Sequence, residues 1–148
     1  GYHDIETCFY PSRWSDVIEI ELESSKPGFI STGIPIAGKI EDNLVYKAFQ
    51  YFPEHRFTNA FVHIHKNVPM GDGLGGGSAD ATAVLTYLNT QTNMKYNKPE
   101  LENIAARLGA DCVFFLNNSP LLATGLGYDF SPIEINLSTL QLVVIWPQ

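Results

Sequence analysis

Five of the chain's 12 glycines fall inside seven residues, Gly71-Asp72-Gly73-Leu74-Gly75-Gly76-Gly77, with Val68-Pro69-Met70 before them and Ser78-Ala79-Asp80-Ala81 after. Glycine lets the backbone take positive φ, and with no Cβ in the way it lets a ligand come close to the amides. A strand-like run leads into this stretch and a helix-like run leaves it. The free N–H groups of the helix's first turn and the positive end of its dipole therefore converge on one point, which suits an anion. A loop this rich in glycine is expected to hold a polyphosphate. The candidate residues are Pro69, Met70, Gly71, Asp72, Gly73, Leu74, Gly75, Gly76, Gly77, Ser78 and Ala79. Lys66 stands at the mouth, either to help hold a nucleotide or to cover the strand end.

Two better-known phosphate loops are excluded by what surrounds the glycines. Gly71 to Gly76 fits GxGxxG, but a dinucleotide fold needs a second strand ending in Asp or Glu about 20 residues on. That region is Thr90-Gln91-Thr92-Asn93-Met94-Lys95-Tyr96, neither an apolar strand nor acidic at its end. The Walker loop requires lysine before its hydroxyl residue, and Gly77 stands before Ser78. A flexible linker is disfavoured by Pro69 on one side and a strong helix start on the other.

Further along, Asp111 follows a helix stop at Gly109 and is flanked by the apolar run Cys112-Val113-Phe114-Phe115-Leu116. A carboxylate there is partly desolvated and must find a partner, as a helix cap or as a chemical group. At the start, Tyr2 and His3 stand at a strand's entrance. They would grip a flat ring by stacking and hydrogen bonding, or serve only as an exposed turn with an aromatic anchor.

The elements that must carry these groups are legible from periodicity. Ile5, Thr7 and Phe9 alternate as in a half-buried strand, and Asp16 to Glu23 alternates most cleanly, with Ile18, Ile20 and Leu22 opposite Glu19, Glu21 and Glu23. Phe29-Ile30-Ser31 is expected to pair as a short strand. Asp42 is placed to cap a helix bearing Leu44, Val45, Ala48, Phe49 and Phe52, stopped by Pro53. Ala60 to His65 forms the strand before the loop. Its His63 and His65 share a face without a third ligand at metal-binding spacing, so a solvated strand face is expected and no metal site is assigned.

Ser78 is expected to cap the helix after the loop, whose buried stripe is Ala81, Val84, Leu85 and Leu88, and Asp80 suits the dipole of its first turn. Asn97 or Lys98, with Pro99 and Glu100, starts a further helix with Leu101, Ile104, Ala105 and Leu108 inward. Leu121 to Ala123 reads as a strand, Gly125-Leu126-Gly127 as a tight turn, and Leu140 to Ile145 as a buried strand.

Four segments, Gly1-Tyr2-His3, Asn43-Leu44-Val45, Pro69-Met70-Gly71-Asp72-Gly73-Leu74-Gly75-Gly76-Gly77-Ser78-Ala79-Asp80-Ala81 and Leu108-Gly109-Ala110-Asp111-Cys112-Val113-Phe114-Phe115, together resemble the GHMP small-molecule kinases, in order and in spacing. The resemblance covers the chain from its first residue to about Pro132. It implies an α+β fold of the ribosomal protein S5 domain 2-like type, a mixed sheet with helices on one face. It also implies ATP as phosphoryl donor, with Mg2+, and Ser78 meeting a phosphate or that magnesium. Asp111 becomes the base that takes a proton from the acceptor hydroxyl.

The triple glycine agrees with the branch whose substrate carries a cytidine diphosphate group and serves isoprenoid precursor synthesis, with Tyr2 and His3 recognising the cytosine. A kinase for another alcohol, or a nucleotide-binding chain without activity of its own, stays open. On the same resemblance residues 1–148 are expected to be the N-terminal ATP-binding domain, without its first strands and without the C-terminal domain.

Some positions depart from the pattern. Asp72 stands where a small uncharged residue is usual, and at about 4 Å a carboxylate repels a phosphate charge by roughly 4 kcal/mol at an effective dielectric of 20. Val113 replaces a common proline and Tyr128 a common acidic residue. The lysine expected upstream of Gly1 to assist Asp111 is absent from the sequence.

Composition bounds what else the chain does. With 148 residues and 45% hydrophobic content it is expected to form one domain with a real core. A net charge of −7 argues against general binding to nucleic acid or anionic membranes, though not against a local nucleotide site. The absence of a long apolar run or signal-like start makes a cytoplasmic location the expectation. Cys8 and Cys112 are expected to be reduced and mostly buried.

Overall fold

The computed structural model describes residues 4–71, 73–125, 127 and 129–145. Three strands form a mixed sheet in the order β2-β4-β3: β2 (Val17–Glu21) runs antiparallel to β4 (Phe61–Lys66), and β3 (Gly28–Gly33) runs parallel to it. A second sheet, β1-β5-β6, is antiparallel and joins β1 (Thr7–Phe9), β5 (Leu121–Thr124) and β6 (Asp129–Pro132). The sequence reading expected one mixed sheet; the second arises because Thr7 to Phe9 pairs with Leu121 to Ala123, more than a hundred residues away.

Among the described residues four α-helices complete the fold: α1 (Leu44–Phe49), α2 (Gly76–Gln91), α3 (Lys98–Leu108) and α4 (Cys112–Asn117). The period-two pattern of β4 turns Val62, Ile64 and Lys66 inward, while the 3.6-residue period of α2 turns Ala81, Val84, Leu85 and Leu88 to meet them. Val45, Ala48 and Phe49 of α1 and Ile104, Ala105 and Leu108 of α3 close the same core. The outer face of β4 stays polar: Thr32 Oγ1 bonds to His63 Nε2 at 2.9 Å and His65 Nδ1 at 2.8 Å, and His63 Nδ1 meets Glu19 Oε2 at 2.6 Å.

Caps decide the helix starts, and two differ from expectation. Asn43, not Asp42, caps α1 by accepting from the Val45 N–H at 2.9 Å, because Asp42 closes a preceding 3-10 turn. Gly75, not Ser78, precedes α2, so Ser78 is already inside the helix and Asp80 lies beyond the first turn. At α3, Asn97 accepts from Glu100 N–H while Glu100 returns a bond to Asn97 N–H, a full capping box.

The run after Asp111 forms the short helix α4, which periodicity over six residues does not reveal. The expected strand from Leu140 to Ile145 does not form. Leu142, Val143 and Ile145 are 75%, 79% and 86% exposed, and no strand among the described residues pairs with them. Of the cysteines, Cys112 is buried but Cys8 is exposed. Among the described residues no helix is long and apolar enough to cross a membrane.

Candidate active site

The glycine loop leaves β4 at Lys66 and enters α2 at Gly76. Its neck is closed: a Cβ on Gly76 would stand 3.1 Å from Val68 Cγ1 and 3.4 Å from Lys66 Nζ, so the first and last parts of the loop touch. Val68 and Pro69 are buried, while Met70 and Leu74 are 41% and 38% exposed. Nothing lies within 4 Å of where a Cβ would stand on Gly71, Gly73 or Gly77, leaving backbone open to an approaching group.

At Gly75 the loop must be glycine. Its φ of +68° is left-handed, and a Cβ there would meet Phe115 Cε2 at 2.8 Å. The turn at Gly75 points the start of α2 at the loop's interior. Ala79 N–H bonds to Gly75 O at 2.9 Å, whereas the N–H groups of Gly76, Gly77 and Ser78 find no acceptor among the described residues. Amides with no acceptor among the described residues, at the positive end of a 16-residue helix, suit an anion, and their number fits a phosphate.

Asp111 faces that site. It occupies the position before α4; its carbonyl accepts the Phe115 N–H at 3.3 Å, but its carboxylate makes no capping bond and has no hydrogen-bond or ion-pair partner among the described residues. Its Oδ2 lies 3.6 Å from where a Cβ on Gly75 would stand. The aromatic cluster of Phe9, Phe114, Phe115 and Phe130 holds α4 between the second sheet and the loop; Phe9 and Phe114 stand edge to face at 5.4 Å. Gly109 lets α3 and α4 close against α2, since Ser78 Oγ and Cys112 Sγ each lie 3.4 Å from its absent Cβ. Burial pushes the Cys112 thiol above its ordinary value, against the pull of the Ser78 and Thr82 hydroxyls. Ser78 thus turns its hydroxyl toward the α3–α4 junction, so its contribution to the cradle is its amide.

Lys66 is a correction to the sequence reading. Its ammonium is not on the open side of the loop: it lies beneath the neck at Gly76, 1% exposed, paired with Asp16 and, at 2.9 Å, with Asp80. Asp16 also accepts the amides of Asn67 at 2.6 Å and Val68 at 2.8 Å. Burial pushes the Asp16 carboxyl up, but Lys66 and these amides outweigh it and hold the group below its ordinary value. Burial raises Asp80 to about 6, despite Lys66. Burial alone would lower the Lys66 ammonium, and its two carboxylate partners raise it instead. Nothing in the spacing links Asp16 to the loop; only the antiparallel register, Val17 opposite His65, brings it across from Lys66.

Tyr2, His3 and Asp72 lie outside the described residues, as do Leu126 of the expected turn and Tyr128. The structure brings together the loop, the start of α2 and Asp111.

The family model for the GHMP kinases N terminal domain matches residues 43–119, more than half of the chain, and takes in both the glycine loop and Asp111. The chain belongs to the GHMP kinase family. Among curated GHMP relatives, 4-diphosphocytidyl-2-C-methyl-D-erythritol kinase of Azobacteroides pseudotrichonymphae is 42% identical over 98% of this chain and 54% of its own length. The protein of that name from Bacteroides fragilis is 43% identical over 99% of this chain and 55% of its own length. The chain therefore spans about half the length of the curated relatives it matches. A solved structure, that of a 4-(cytidine 5'-diphospho)-2C-methyl-D-erythritol kinase, superposes with a TM-score of 0.74 at 31% identity, over 92% of this chain and 48% of the other. The α+β GHMP N-terminal fold read from the motifs is the fold observed.

Proposed function

We propose that the chain is the ATP-binding part of a kinase that moves the γ-phosphoryl of ATP to the 2-hydroxyl of 4-diphosphocytidyl-2-C-methyl-D-erythritol, a cytoplasmic step of non-mevalonate isoprenoid synthesis. The observation that carries the reading is the carboxylate of Asp111 set beside Gly75, where α2 begins with amides that have no acceptor among the described residues. Amides that suit a phosphate and a nearby carboxylate with no partner among the described residues are the two parts that transfer to an alcohol requires. The names of the relatives support the choice of alcohol.

ATP supplies the reactive phosphoryl group when bound. The chain's own residues hold and orient: the Gly76, Gly77 and Ser78 amides donate to phosphate oxygens, and the exposed backbone of Gly71 and Gly73 leaves the phosphates room. Asp111 accepts the proton of the acceptor hydroxyl through a carboxylate oxygen, leaving the alcohol oxygen free to attack. Phe115, packed against Gly75, fixes the side of the loop that the carboxylate approaches. Most of the acceleration then comes from positioning and charge stabilisation. Mg2+ would enter with the ATP phosphates, as no cluster of His, Cys, Asp or Glu among the described residues is built to hold it alone. Tyr2 and His3 are assigned to the cytosine.

The test is transfer of label from γ-labelled ATP, by the protein that carries this chain, to a panel of alcohols. The panel is 4-diphosphocytidyl-2-C-methyl-D-erythritol, homoserine, mevalonate and a sugar. Selective labelling of the cytidine-bearing alcohol is expected. Preference for another alcohol would move the protein to a different GHMP branch, and ATP binding without transfer to any would make it a nucleotide-binding module.

A further inference from the structure

The loop that cradles the proposed phosphates is glycine-rich, and glycine backbone is the most costly to order. Something must fix its ends. Lys66, the last residue of β4, and Asp80, in the second turn of α2, bracket the loop, and their ion pair closes it at 2.9 Å. Both are buried, at 1% and 7% exposed. Outside the loop stands Asp16, whose side chain is 2% exposed. One of its oxygens takes the Asn67 and Val68 amides, the first two of the loop, and the other takes the Lys66 ammonium.

Val68 then carries the constraint onward. Held by its amide, it sets its side chain against Gly76, with 3.1 Å between Cγ1 and the position of a Cβ on that glycine. Gly76 begins α2 and carries the first of the amides that have no acceptor among the described residues. We infer that Asp16 is a positioning residue for the glycine loop, fixing through Val68 and through Lys66 to Asp80 the direction in which the first amides of α2 point. This rests on the reading of the loop as the phosphate site.

A chain of this kind has an energetic reason. Amides that already converge bind a polyphosphate without the entropy cost of gathering them, so a fixed neck appears as affinity. A carboxylate with three satisfied contacts also gives the buried ammonium beneath the loop a second partner beside Asp80. Asp16 touches neither phosphate nor acceptor, and its role is exerted through the loop.

The experiment compares Asp16→Ala with the unaltered chain by amide hydrogen exchange without ligand and by calorimetric titration with ATP and magnesium. Asn97→Ala, which removes the cap of α3, is the control for a general loss of stability. The informative amide is that of Ala79, bonded to Gly75 O and not to Asp16. Its exchange is expected to quicken by about tenfold or more in D16A and ATP affinity to fall by a similar factor, with neither change in N97A. Unchanged exchange at Ala79, or faster exchange with full ATP affinity, would overturn the assignment, as would equal effects in N97A. If the unaltered chain binds no ATP, the phosphate reading fails, while Ala79 still reports whether Asp16 sets the start of α2. Should D16A not fold, Asp16→Asn keeps the size and one acceptor and is read in the same way, with a smaller shift in the same direction.

Discussion

The carboxylate of Asp111 and the backbone of Gly75 are neighbours: 3.6 Å separates Oδ2 from the place a Cβ on Gly75 would take. The two residues are 36 positions apart and are joined by the packing of α4 on α2 and of Phe115 on the loop. Asp111→Asn keeps that geometry and removes the proton acceptor. Turnover is expected to fall by about 100-fold or more, with ATP affinity little changed, in a labelled-transfer assay run beside a binding titration. Undiminished turnover would end the assignment of Asp111 as base.

Glycines 75 and 77 separate two roles that the loop combines. Gly75→Ala forces a side chain into left-handed φ and against the Phe115 ring, so a loss of about 1–3 kcal/mol in unfolding free energy is expected, together with lost ATP binding. Gly77→Ala meets nothing within 4 Å and sits in helical backbone, where alanine adds about 0.5–1 kcal/mol. If the phosphates approach that backbone, the same variant is more stable and binds ATP more weakly. Urea midpoints and titrations on the two proteins decide both points.

Asp80 gives stability a pH dependence of known sign. Its folded carboxyl keeps a proton up to about pH 6, whereas the ordinary value is 3.8. The folded state therefore holds more protons between those values. The associated stability is fully present below about 4 and is lost as pH rises through 6. Relative to Asp80→Asn, which cannot titrate, the unaltered chain is expected to gain up to about 3 kcal/mol between pH 7.5 and 4. Asp16, held below its ordinary value, gives the opposite trend only at more acid pH. Denaturant unfolding of both proteins across that range measures the difference, and parallel curves would rule the effect out.

The capping box of α3 is a local device with a local cost. Asn97→Ala leaves the Glu100 amide without its side-chain acceptor, and about 1 kcal/mol of stability should be lost with no effect on nucleotide binding. A urea midpoint and an ATP titration check it. A drop in ATP affinity would mean that α3 and the loop are coupled more tightly than their packing suggests.

What the sequence determined by itself is local and periodic. The glycines at 71 to 77, the alternation of β2 and β4 and the apolar stripe of α2 are each encoded within a few residues, and the structure places them as read; the start of α3 is legible too, and the structure selects Asn97 over Lys98 as its cap. Ser78 was misread as a cap because a hydroxyl before an apolar stripe looks the same whether the turn starts there or at a left-handed glycine three residues earlier. Leu140 to Ile145 has a strand's composition, but a strand exists only with a partner, and none of the described residues provides one.

Tertiary structure alone decided the environment of the charges. Lys66 reads from the sequence as a nucleotide-holding lysine or as a cover for the strand end; the register of β2 against β4 sets Asp16 opposite it and α2 sets Asp80 beside it. Asp111 reads as a cap on its own residues and as the proton acceptor on the family resemblance; the packing of α4 sets its carboxylate beside Gly75, with no bond to it among the described residues. Electrostatic partners are chosen by distance in space, and residues 50 or more positions apart carry no trace of that distance in their order.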